Sequence, residues 1–394
     1  MLVLVAPGQG AQAPGFLTPW LDLPGFEERL QWLSACAGLD LVRYGTRADA
    51  DEIRDTAVAQ PLLVAAGLVS ALALFPHPAD AFKVVGAAAG HSVGEITAAA
   101  GAGVISAEQA MVLVRERGRA MAAAAAAQPT GMTAVLGGEP DTVVAKIEEH
   151  GLTPANINGA GQVVAAGTLA QLEEFQADPP AGARLRPLSV AGAFHTQHMA
   201  PAVDTLARYA RAVSTHDARL RLVSNADGTV IHHGRDVLRR IVEQVSAPVR
   251  WDLCMRTLGE LGVTGVIEVP PAGTLTGLIK RALPGVETLA LKTPDDLDTA
   301  RAFVDKHAAA SPLEGSPTWR LIVSPGSGTV RVDQADVGTH LESGAVVGAV
   351  ISRRGEAVLV APHGGTIVEW LVHDGDPVSP GQPLVRLYPE GVPA

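Results

Sequence analysis

The 394-residue chain is poor in cysteine and in positive charge, and each deficit excludes a class of protein. Its two cysteines, Cys36 and Cys254, are too few for a disulfide framework, and neither lies in a metal-ligand spacing, so we expect no metal site. The formal net charge of −11 argues against nucleic-acid binding, because contacts to phosphates need a basic surface. An acidic partner that docks on a local basic patch stays compatible with this charge.

The sequence also has no obvious membrane or export segment. We find no apolar run that reaches the roughly 18 residues a membrane span needs. The start of the chain, residues 1–7, has no basic region and predicts a buried strand instead of a signal peptide. We therefore expect a cytoplasmic protein without a membrane partner. Its length allows two domains, or one large domain with an appendage.

The strongest motif is Gly90-His91-Ser92-Val93-Gly94. A short run of small apolar residues precedes it and an alanine-rich helical pattern follows, which is the strand–turn–helix context of a nucleophile elbow. Such a turn exposes the Ser92 hydroxyl at a helix N-terminus, where free N–H groups favour a developing negative charge. A bare Gly-x-Ser-x-Gly is also common by chance, so an ordinary turn remains the alternative.

Three further positions are candidates to act with this serine. Two glycines flank Gln9 in the loop after the first strand, so its backbone can approach a ligand; the alternative is a plain turn. Arg117 lies on a long predicted helix, residues 107–127, where most arginines are solvated. His195, which we place at a strand end, is positioned to face the elbow as a general base.

Two other histidines compete for the role of base. His198 follows His195 by about one helical turn, where capping or solvent exposure is the better interpretation. His91 abuts the serine, and strand geometry is expected to turn its side chain away into a packing role. We therefore prefer His195.

Residues 131–190 form a separate pattern. We expect strands at residues 132–136, 155–157, 162–166 and 183–190, and helices at 141–150 and 169–176. This β-α-β-β-α-β order is the ferredoxin-like signature. We interpret it as a small subdomain inserted into a larger α/β unit of residues 1–308.

The C-terminal part of the chain differs in composition. Residues 309–318 predict a linker, rich in Ala, Ser, Thr and Pro. Residues 319–394 contain short alternating strands, which predict a small barrel or sandwich. The segment 322–330 resembles 359–367, and each is followed by a strand and a glycine turn. Two similar halves imply a pseudo-twofold fold.

Five separated motifs resemble one family. In chain order they are Gly8-Gln9-Gly10-Ala11-Gln12, Gly90-His91-Ser92-Val93-Gly94-Glu95, Arg117-Gly118, Ala193-Phe194-His195 and Thr274-Leu275-Thr276-Gly277-Leu278. Over about residues 1–305 they resemble malonyl-CoA:acyl carrier protein transacylase, especially its actinobacterial form. The resemblance implies an α/β-hydrolase-like core with a ferredoxin-like insert, and an [acyl-carrier-protein] S-malonyltransferase of fatty acid or polyketide biosynthesis.

The resemblance also implies roles for the candidate residues. Ser92 would take the malonyl group from malonyl-CoA, and His195 would act as its base and later activate the phosphopantetheine thiol of acyl carrier protein. In the family a backbone carbonyl orients the histidine, and the matching position is Gln244. We expect no bound cofactor; malonyl-CoA is a substrate.

Substrate recognition follows from the same resemblance. The backbone N–H groups of Gln9 and Val93 would form the oxyanion hole. Arg117 would pair with the free malonyl carboxylate and reject acetyl groups, because an uncharged acyl chain leaves a buried arginine unpaired. Phe194 before the histidine is the pattern of unbranched malonyl units. Two departures, Ala193-Phe194 and Pro270-Pro271-Ala272-Gly273, affect the shape of the pocket but remove no catalytic group.

The tail resembles a biotinyl or lipoyl carrier domain, which carries its cofactor on a lysine at a hairpin tip. The corresponding hairpin is residues 352–356, and the last lysine in the chain is Lys306. An arginine cannot form the required amide. We therefore predict neither biotin nor lipoate, and a structural or docking module.

Other functions remain compatible with these motifs. One is the transacylase that loads a malonate decarboxylase, which uses the same chemistry. Another is a serine hydrolase or thioesterase, against which Arg117 and the lack of an Asp between Ser92 and His195 in the usual hydrolase order both argue. A non-catalytic scaffold is a further alternative.

Overall fold

The computed structural model describes residues 1–308, 320–333, 336–353 and 355–388. The chain divides into two compact units, Met1–Ser311 and Pro312–Ala394. The predicted linker, residues 309–318, lies outside the described residues.

The first unit contains strands and helices in a mixed order. The elements are β1 (Leu2–Ala6), α1 (Phe26–Ala37), α2 (Leu41–Thr46), α3 (Thr56–Leu74), α4 (Pro78–Val84), β2 (Val85–Gly90), α5 (Gly94–Gly101), α6 (Ala107–Ala126), β3 (Thr130–Gly137), α7 (Pro140–Glu149), β4 (Thr153–Gly159), β5 (Gln162–Thr168), α8 (Leu169–Ala177), β6 (Ala183–Pro187), α9 (Ala200–Ala210), β7 (Arg221–Val223), β8 (Val230–Ile231), α10 (Gly234–Glu243), α11 (Trp251–Glu260), β9 (Gly265–Glu268), α12 (Thr274–Ala282), β10 (Glu287–Ala290) and α13 (Leu297–His307). The unit is therefore a mixed α/β fold.

Its central sheet has the strand order β10-β9-β1-β2-β7-β8. All neighbours are parallel except the β7–β8 pair. Strands β1 and β2 are almost entirely buried, as expected for a parallel sheet covered on both faces. Their register pairs Ala6 with Gly90, so the Gln9 loop and the serine turn leave the sheet side by side. Functional residues collect at this carboxyl edge of the sheet.

Helix α3 corrects one expectation from the sequence. We found no apolar run long enough to span a membrane, but the 19-residue helix Thr56–Leu74 passes that test by length and composition. The polar residues Gln60 and Ser70 break the run in the sequence, but do not end the helix. The most apolar 18-residue stretch of this helix is 78% buried inside the protein, as expected for the core helix of a globular fold. Pro61 lies inside this helix.

A second, antiparallel sheet of the first unit has the strand order β4-β5-β3-β6. Its chain order, strand–helix–strand–strand–helix–strand, agrees with the prediction for residues 131–190. It has its own apolar core, which includes Val135, Ile147 and Phe175. The last predicted strand was too long, because β6 ends at Pro187 instead of residue 190. His195 therefore lies in an irregular loop and not at a strand end.

The second unit consists of short strands over its described residues. They are β11 (Arg320–Val323), β12 (Gly328–Val332), β13 (His340–Leu341), β14 (Ala345–Ser352), β15 (Gly355–Ala361), β16 (Gly365–Trp370), β17 (Pro377–Val378) and β18 (Pro383–Tyr388). Arg354, at the tip of the hairpin where a carrier domain would hold its lysine, lies outside the described residues.

The internal repeat is visible in the strand pairing of this unit. One antiparallel sheet has the order β11-β18-β16-β13, and the other has the order β15-β14-β12-β17. The first four strands, β11 to β14, correspond in sequence order to the last four, β15 to β18. Replacing every strand with its counterpart converts the order of one sheet into the order of the other. The two sheets enclose one apolar core, which includes Val347, Leu359 and Leu384. The two sequence halves thus occupy equivalent positions in the fold.

Candidate active site

The serine turn joins β2 to α5 through a left-handed residue. Ser92 has a φ of 54°, which is rare for a residue other than glycine and raises the local energy by about 1 kcal/mol or more. The flanking glycines make this turn possible. A Cβ on Gly90 would lie 2.0 Å from the backbone of Gly94, and a Cβ on Gly94 would lie 2.2 Å from the carbonyl oxygen of Ala6. The motif spacing is thus required by backbone contact.

Asn225, which is fully buried, fastens this turn to the end of β7. Its Oδ1 accepts the Ser92 N–H at 2.8 Å, and its Nδ2 donates to the Gly90 carbonyl oxygen at 2.6 Å. The sequence contains no motif that links residues 92 and 225, so the contact could be found only in the fold.

Ser92 and His195 are in hydrogen-bond contact. The Ser92 Oγ lies 2.7 Å from His195 Nε2, and His195 Nδ1 lies 2.8 Å from the backbone carbonyl oxygen of Gln244. The carbonyl can only accept, so Nδ1 carries the proton and Nε2 is free to accept from the serine. Burial and the charge of Arg117 lower the pKa of His195 to about 3. The imidazole is therefore neutral at physiological pH, as a base must be.

The competing histidines lie elsewhere. His91 Nε2 is 2.8 Å from Asn158 Oδ1, and its ring packs edge-on against Trp251. Burial lowers the pKa of His91, so it too is neutral. His198 is half-buried in the short turn after His195. Neither contacts the serine hydroxyl among the described residues, so His195 alone has the geometry of a base.

Arg117 is buried beneath the serine, with 1% of its surface exposed. Its Nη2 lies 3.3 Å from Ser92 Oγ, and its Nη1 donates to Gln60 Oε1 at 2.7 Å. Within the described residues no carboxylate lies close enough for an ion pair with it, and its Nε has no hydrogen-bond partner. Burial lowers the pKa of Arg117 to about 10, which still leaves it charged at neutral pH. A buried cation without a direct counter-ion is costly, so an anion placed beside it would be stabilised.

Two backbone amides face the same edge. In the described part of the chain, the N–H groups of Gln9 and Val93 have no hydrogen-bond acceptor. The loops that carry them are joined by the His91 N–H, which donates to the Ala6 carbonyl oxygen at 2.9 Å. Free amides at the start of α5 can stabilise an oxyanion next to the serine.

Two departures from the expected motifs have structural roles. The loop 270–273 closes over the fully buried Glu268, whose carboxylate accepts N–H groups of Gly273 at 2.9 Å and Thr276 at 2.8 Å. Phe194 is buried in the core beside His195.

Over the described residues no group of three or more His, Cys, Asp or Glu side chains is arranged to hold a metal ion.

This geometry is that of a serine acyltransferase or hydrolase. The sequence matches the acyl transferase domain family over residues 3–303. It is 52% identical to malonyl CoA-acyl carrier protein transacylase of Mycobacterium tuberculosis over 298 residues, which is 76% of this chain and 98% of that protein. It is 30% identical to the Bacillus subtilis protein of the same name, over 76% of this chain and 96% of that protein.

Solved structures agree with the sequence relatives. The crystal structure of MCAT from Mycobacterium tuberculosis matches with a TM-score of 0.74 and 51% identity, over 76% of this chain and 99% of that chain. A malonyl-transacylase in complex with its type II PKS acyl-carrier protein matches with a TM-score of 0.71 and 30% identity, over 76% and 99%. The chain belongs to the malonyl CoA-acyl carrier protein transacylase family. The resemblance inferred from the five motifs is thereby confirmed.

Proposed function

We propose that the protein transfers the malonyl group from malonyl-CoA to the phosphopantetheine thiol of acyl carrier protein, through a malonyl ester on Ser92. One observation carries the mechanism. The Ser92 hydroxyl lies between a neutral base, His195 at 2.7 Å, and a buried cation, Arg117 at 3.3 Å. A base activates the hydroxyl, and a cation beside it binds the carboxylate of a malonyl group.

In the first half-reaction Ser92 attacks the thioester carbonyl of malonyl-CoA. His195 Nε2 takes the hydroxyl proton, and the N–H groups of Gln9 and Val93 stabilise the tetrahedral oxyanion. The carbon–sulfur bond then breaks, and His195 returns the proton to the leaving CoA thiolate. The products are malonyl-Ser92 and free CoA. In the second half-reaction the carrier thiol gives its proton to His195 and attacks the ester carbonyl. The bond between the carbonyl carbon and Ser92 Oγ then breaks, and His195 returns the proton to the serine oxygen.

The buried arginine sets the selectivity for malonyl groups. The malonyl carboxylate can form a bidentate ion pair with Arg117, which replaces the weak contact between Arg117 and the serine. An acetyl group would bury the same arginine without an anion, which costs about 1–3 kcal/mol or more for the unsatisfied charged group. We therefore expect malonyl-CoA to acylate Ser92 and acetyl-CoA to fail.

Hydrolysis of the malonyl ester is the second candidate function. It is less well supported, because His195 is oriented by a backbone carbonyl and not by a carboxylate as in the usual hydrolase triad. Relatives named for transfer to acyl carrier protein favour the carrier thiol as acceptor. Fatty acid synthesis is the pathway we propose, since the mycobacterial and Bacillus relatives carry the transacylase name; polyketide or malonate decarboxylase supply remains the alternative.

The proposal extends to the architecture and the tail. We assign the mainly parallel sheet to an α/β-hydrolase-like core, and the sheet with the order β4-β5-β3-β6 to a ferredoxin-like insert. We also infer a cytoplasmic location. We assign the second unit to a biotinyl/lipoyl-like domain, which its exchanged halves support. No lysine follows Lys306, so we propose that this unit carries neither biotin nor lipoate and serves in structure or docking.

Intact-protein mass spectrometry tests these proposals together. The full-length protein and its Ser92→Ala variant are mixed with malonyl-CoA or acetyl-CoA. We expect one malonyl-sized adduct on the parent protein only, and no acetyl adduct. Steady release of malonate without an adduct would favour the hydrolase. A biotin- or lipoate-sized mass on the untreated chain would contradict the assignment of the tail.

A further inference from the structure

Glu95 is a buried acid that the proposed mechanism does not use. It lies three residues after Ser92 in the first turn of α5, with 6% of its surface exposed. Within the described residues no cation lies within 4.0 Å of its carboxylate. A buried carboxylate without an ion pair is costly and needs hydrogen bonds to offset its loss of water. Its two oxygens make such bonds in two directions.

The first oxygen supports the nucleophile. Glu95 Oε1 accepts the backbone N–H of Asn225 at 2.6 Å. The side chain of the same asparagine accepts the Ser92 N–H at 2.8 Å. Glu95 therefore fixes the residue that holds Ser92 in its left-handed conformation.

The second oxygen supports the base and the cation. Glu95 Oε2 accepts a close hydrogen bond from Gln244 Nε2. Gln244 Oε1 accepts from Arg117 Nη2 at 3.4 Å, and the backbone oxygen of Gln244 lies 2.8 Å from His195 Nδ1. Only one orientation of the Gln244 amide satisfies both neighbours, because the arginine can only donate and an ionised carboxylate can only accept.

We propose that the ionised carboxylate of Glu95 is the positioning group of this site, holding Ser92 through Asn225 and both His195 and Arg117 through Gln244. The inference rests on the proposed function, since it concerns the acylation of Ser92. It separates positioning from catalysis: Glu95 contacts neither the reacting hydroxyl nor the malonyl carboxylate. Its effect passes through two residues that are distant in sequence, Asn225 and Gln244.

The ionisation state of Glu95 makes the proposal testable. Both oxygens act as acceptors, so protonation would place an O–H against an N–H donor and break one arm of the network. Burial raises the pKa of Glu95 to about 8, although Arg117 and Arg240 favour its charged form and Asp227 opposes it. Burial and, to a lesser extent, the charge of Glu95 raise the pKa of the Cys254 thiol well above its usual value, so the thiol stays neutral.

The resulting pH dependence has a defined sign. As pH falls through about 8, Glu95 takes up a proton, one arm of the network is released and acylation slows. His195 does not cause this limb, because its pKa is lowered to about 3. Arg117, with a pKa of about 10, stays charged throughout.

The experiment measures the rate at which saturating malonyl-CoA acylates Ser92 in the full-length protein, from about pH 5 to about pH 9. Glu95→Gln is compared with Glu268→Gln, the same change at another buried carboxylate. Glu268 caps α12 and, among the described residues, makes no hydrogen bond to Ser92, His195 or Arg117. We expect the parent rate to rise with pH, to be half-maximal near pH 8 and to approach its plateau only at the upper end of this range. Glu95→Gln should be about 10- to 100-fold slower and flat with pH. Glu268→Gln should keep the parent profile even if it is less stable.

Three results would overturn the positioning role: a flat profile of the parent protein, a pH limb retained in Glu95→Gln, or a Glu95→Gln rate within about twofold of the parent. If Glu95→Gln does not fold, Glu95→Asp replaces it. Its shorter carboxylate should shift the limb, and an unshifted limb would contradict the proposal. A parent protein that forms no malonyl-Ser92 at any pH would instead refute the proposed function.

Discussion

The two units of this protein differ in where they bury polar groups. The α/β unit buries Glu95, Arg117, Asn225 and Gln244 within one connected network beneath Ser92. The described part of the second unit uses a repeated pattern of strands and turns around an apolar core. Buried polar groups are expensive, so a fold keeps a network of them where chemistry needs it. We therefore assign the proposed catalysis to the first unit.

The largest expected effect comes from the nucleophile and its base. Ser92→Ala and His195→Ala should each lower malonyl transfer about 10⁴-fold or more, and the double variant should be no slower, because the two residues act as one unit. Ser324→Ala, at a buried serine of the second unit, serves as the matched control and should keep the parent rate. Initial rates of malonyl transfer to holo acyl carrier protein measure this. A Ser324→Ala variant that transfers malonyl groups much more slowly than the parent would contradict the assignment of catalysis to the first unit.

Each unit also has a buried arginine, and their removal should have different consequences. Arg117→Ala should lower acylation by malonyl-CoA about 10²- to 10³-fold, from the loss of about 3–4 kcal/mol of charged hydrogen bonding. Arg117→Lys keeps the charge without the planar fork and should recover only part of this rate. Arg386, which donates to Glu369 at 2.8 Å, lies in the second unit. Arg386→Ala should lower stability alone; an equal loss of activity would contradict the assignment of the site.

Backbone packing at the serine turn gives a stability effect of intermediate size. Gly94→Ala places a methyl group 2.2 Å from the Ala6 carbonyl oxygen and should destabilise the protein by about 3 kcal/mol or more. Gly375→Ala, in a turn of the second unit with a φ of 86° and open space around it, should cost only about 1–2 kcal/mol. Urea unfolding followed by circular dichroism measures both. Equal losses would show that the close approach at Gly94 is relieved by a shift of β1.

The smallest expected effect is that of removing the second unit. A protein that ends at Ser311 should keep its malonyl transfer rate within about threefold, because each hydrogen bond that we describe at the site joins residues of the first unit. Relatives covered to 98% of their length by this part of the chain support that expectation. Steady-state kinetics of the shortened and full-length proteins test it. A large loss would assign the second unit a part in catalysis or carrier docking.

Most elements of the fold could be predicted from local patterns. The helix 107–127 and the strands and helices of residues 131–190 were placed within a few residues, since apolar period and turn residues define them. The errors arose where tertiary contacts override local signals. Helix α3 continues through Gln60 and Pro61 because the core buries it, and the strand before His195 ends early at Pro187.

The residues of the site also divide into those that local patterns predict and those that only tertiary contacts reveal. Ser92, His195 and Arg117 lie in motifs with fixed local spacing, and the structure brings them together. Glu95 and Asn225 were missed as site residues, although Glu95 stands inside a quoted motif. Their roles depend on contacts between residues 130 or more positions apart, which no local pattern encodes. Resemblance pointed to the Gln244 carbonyl, while the part played by its side chain became visible only with the neighbours in place.

Transfer of the malonyl group from the isolated acyl-enzyme tests the central claim most directly. Malonyl-Ser92 protein, freed of CoA by gel filtration, is divided between buffer and holo acyl carrier protein and followed by intact mass. The account predicts that the adduct persists in buffer and moves to the carrier, leaving the free serine. Loss of the adduct at the same rate in both samples, with malonate as the product, would contradict it.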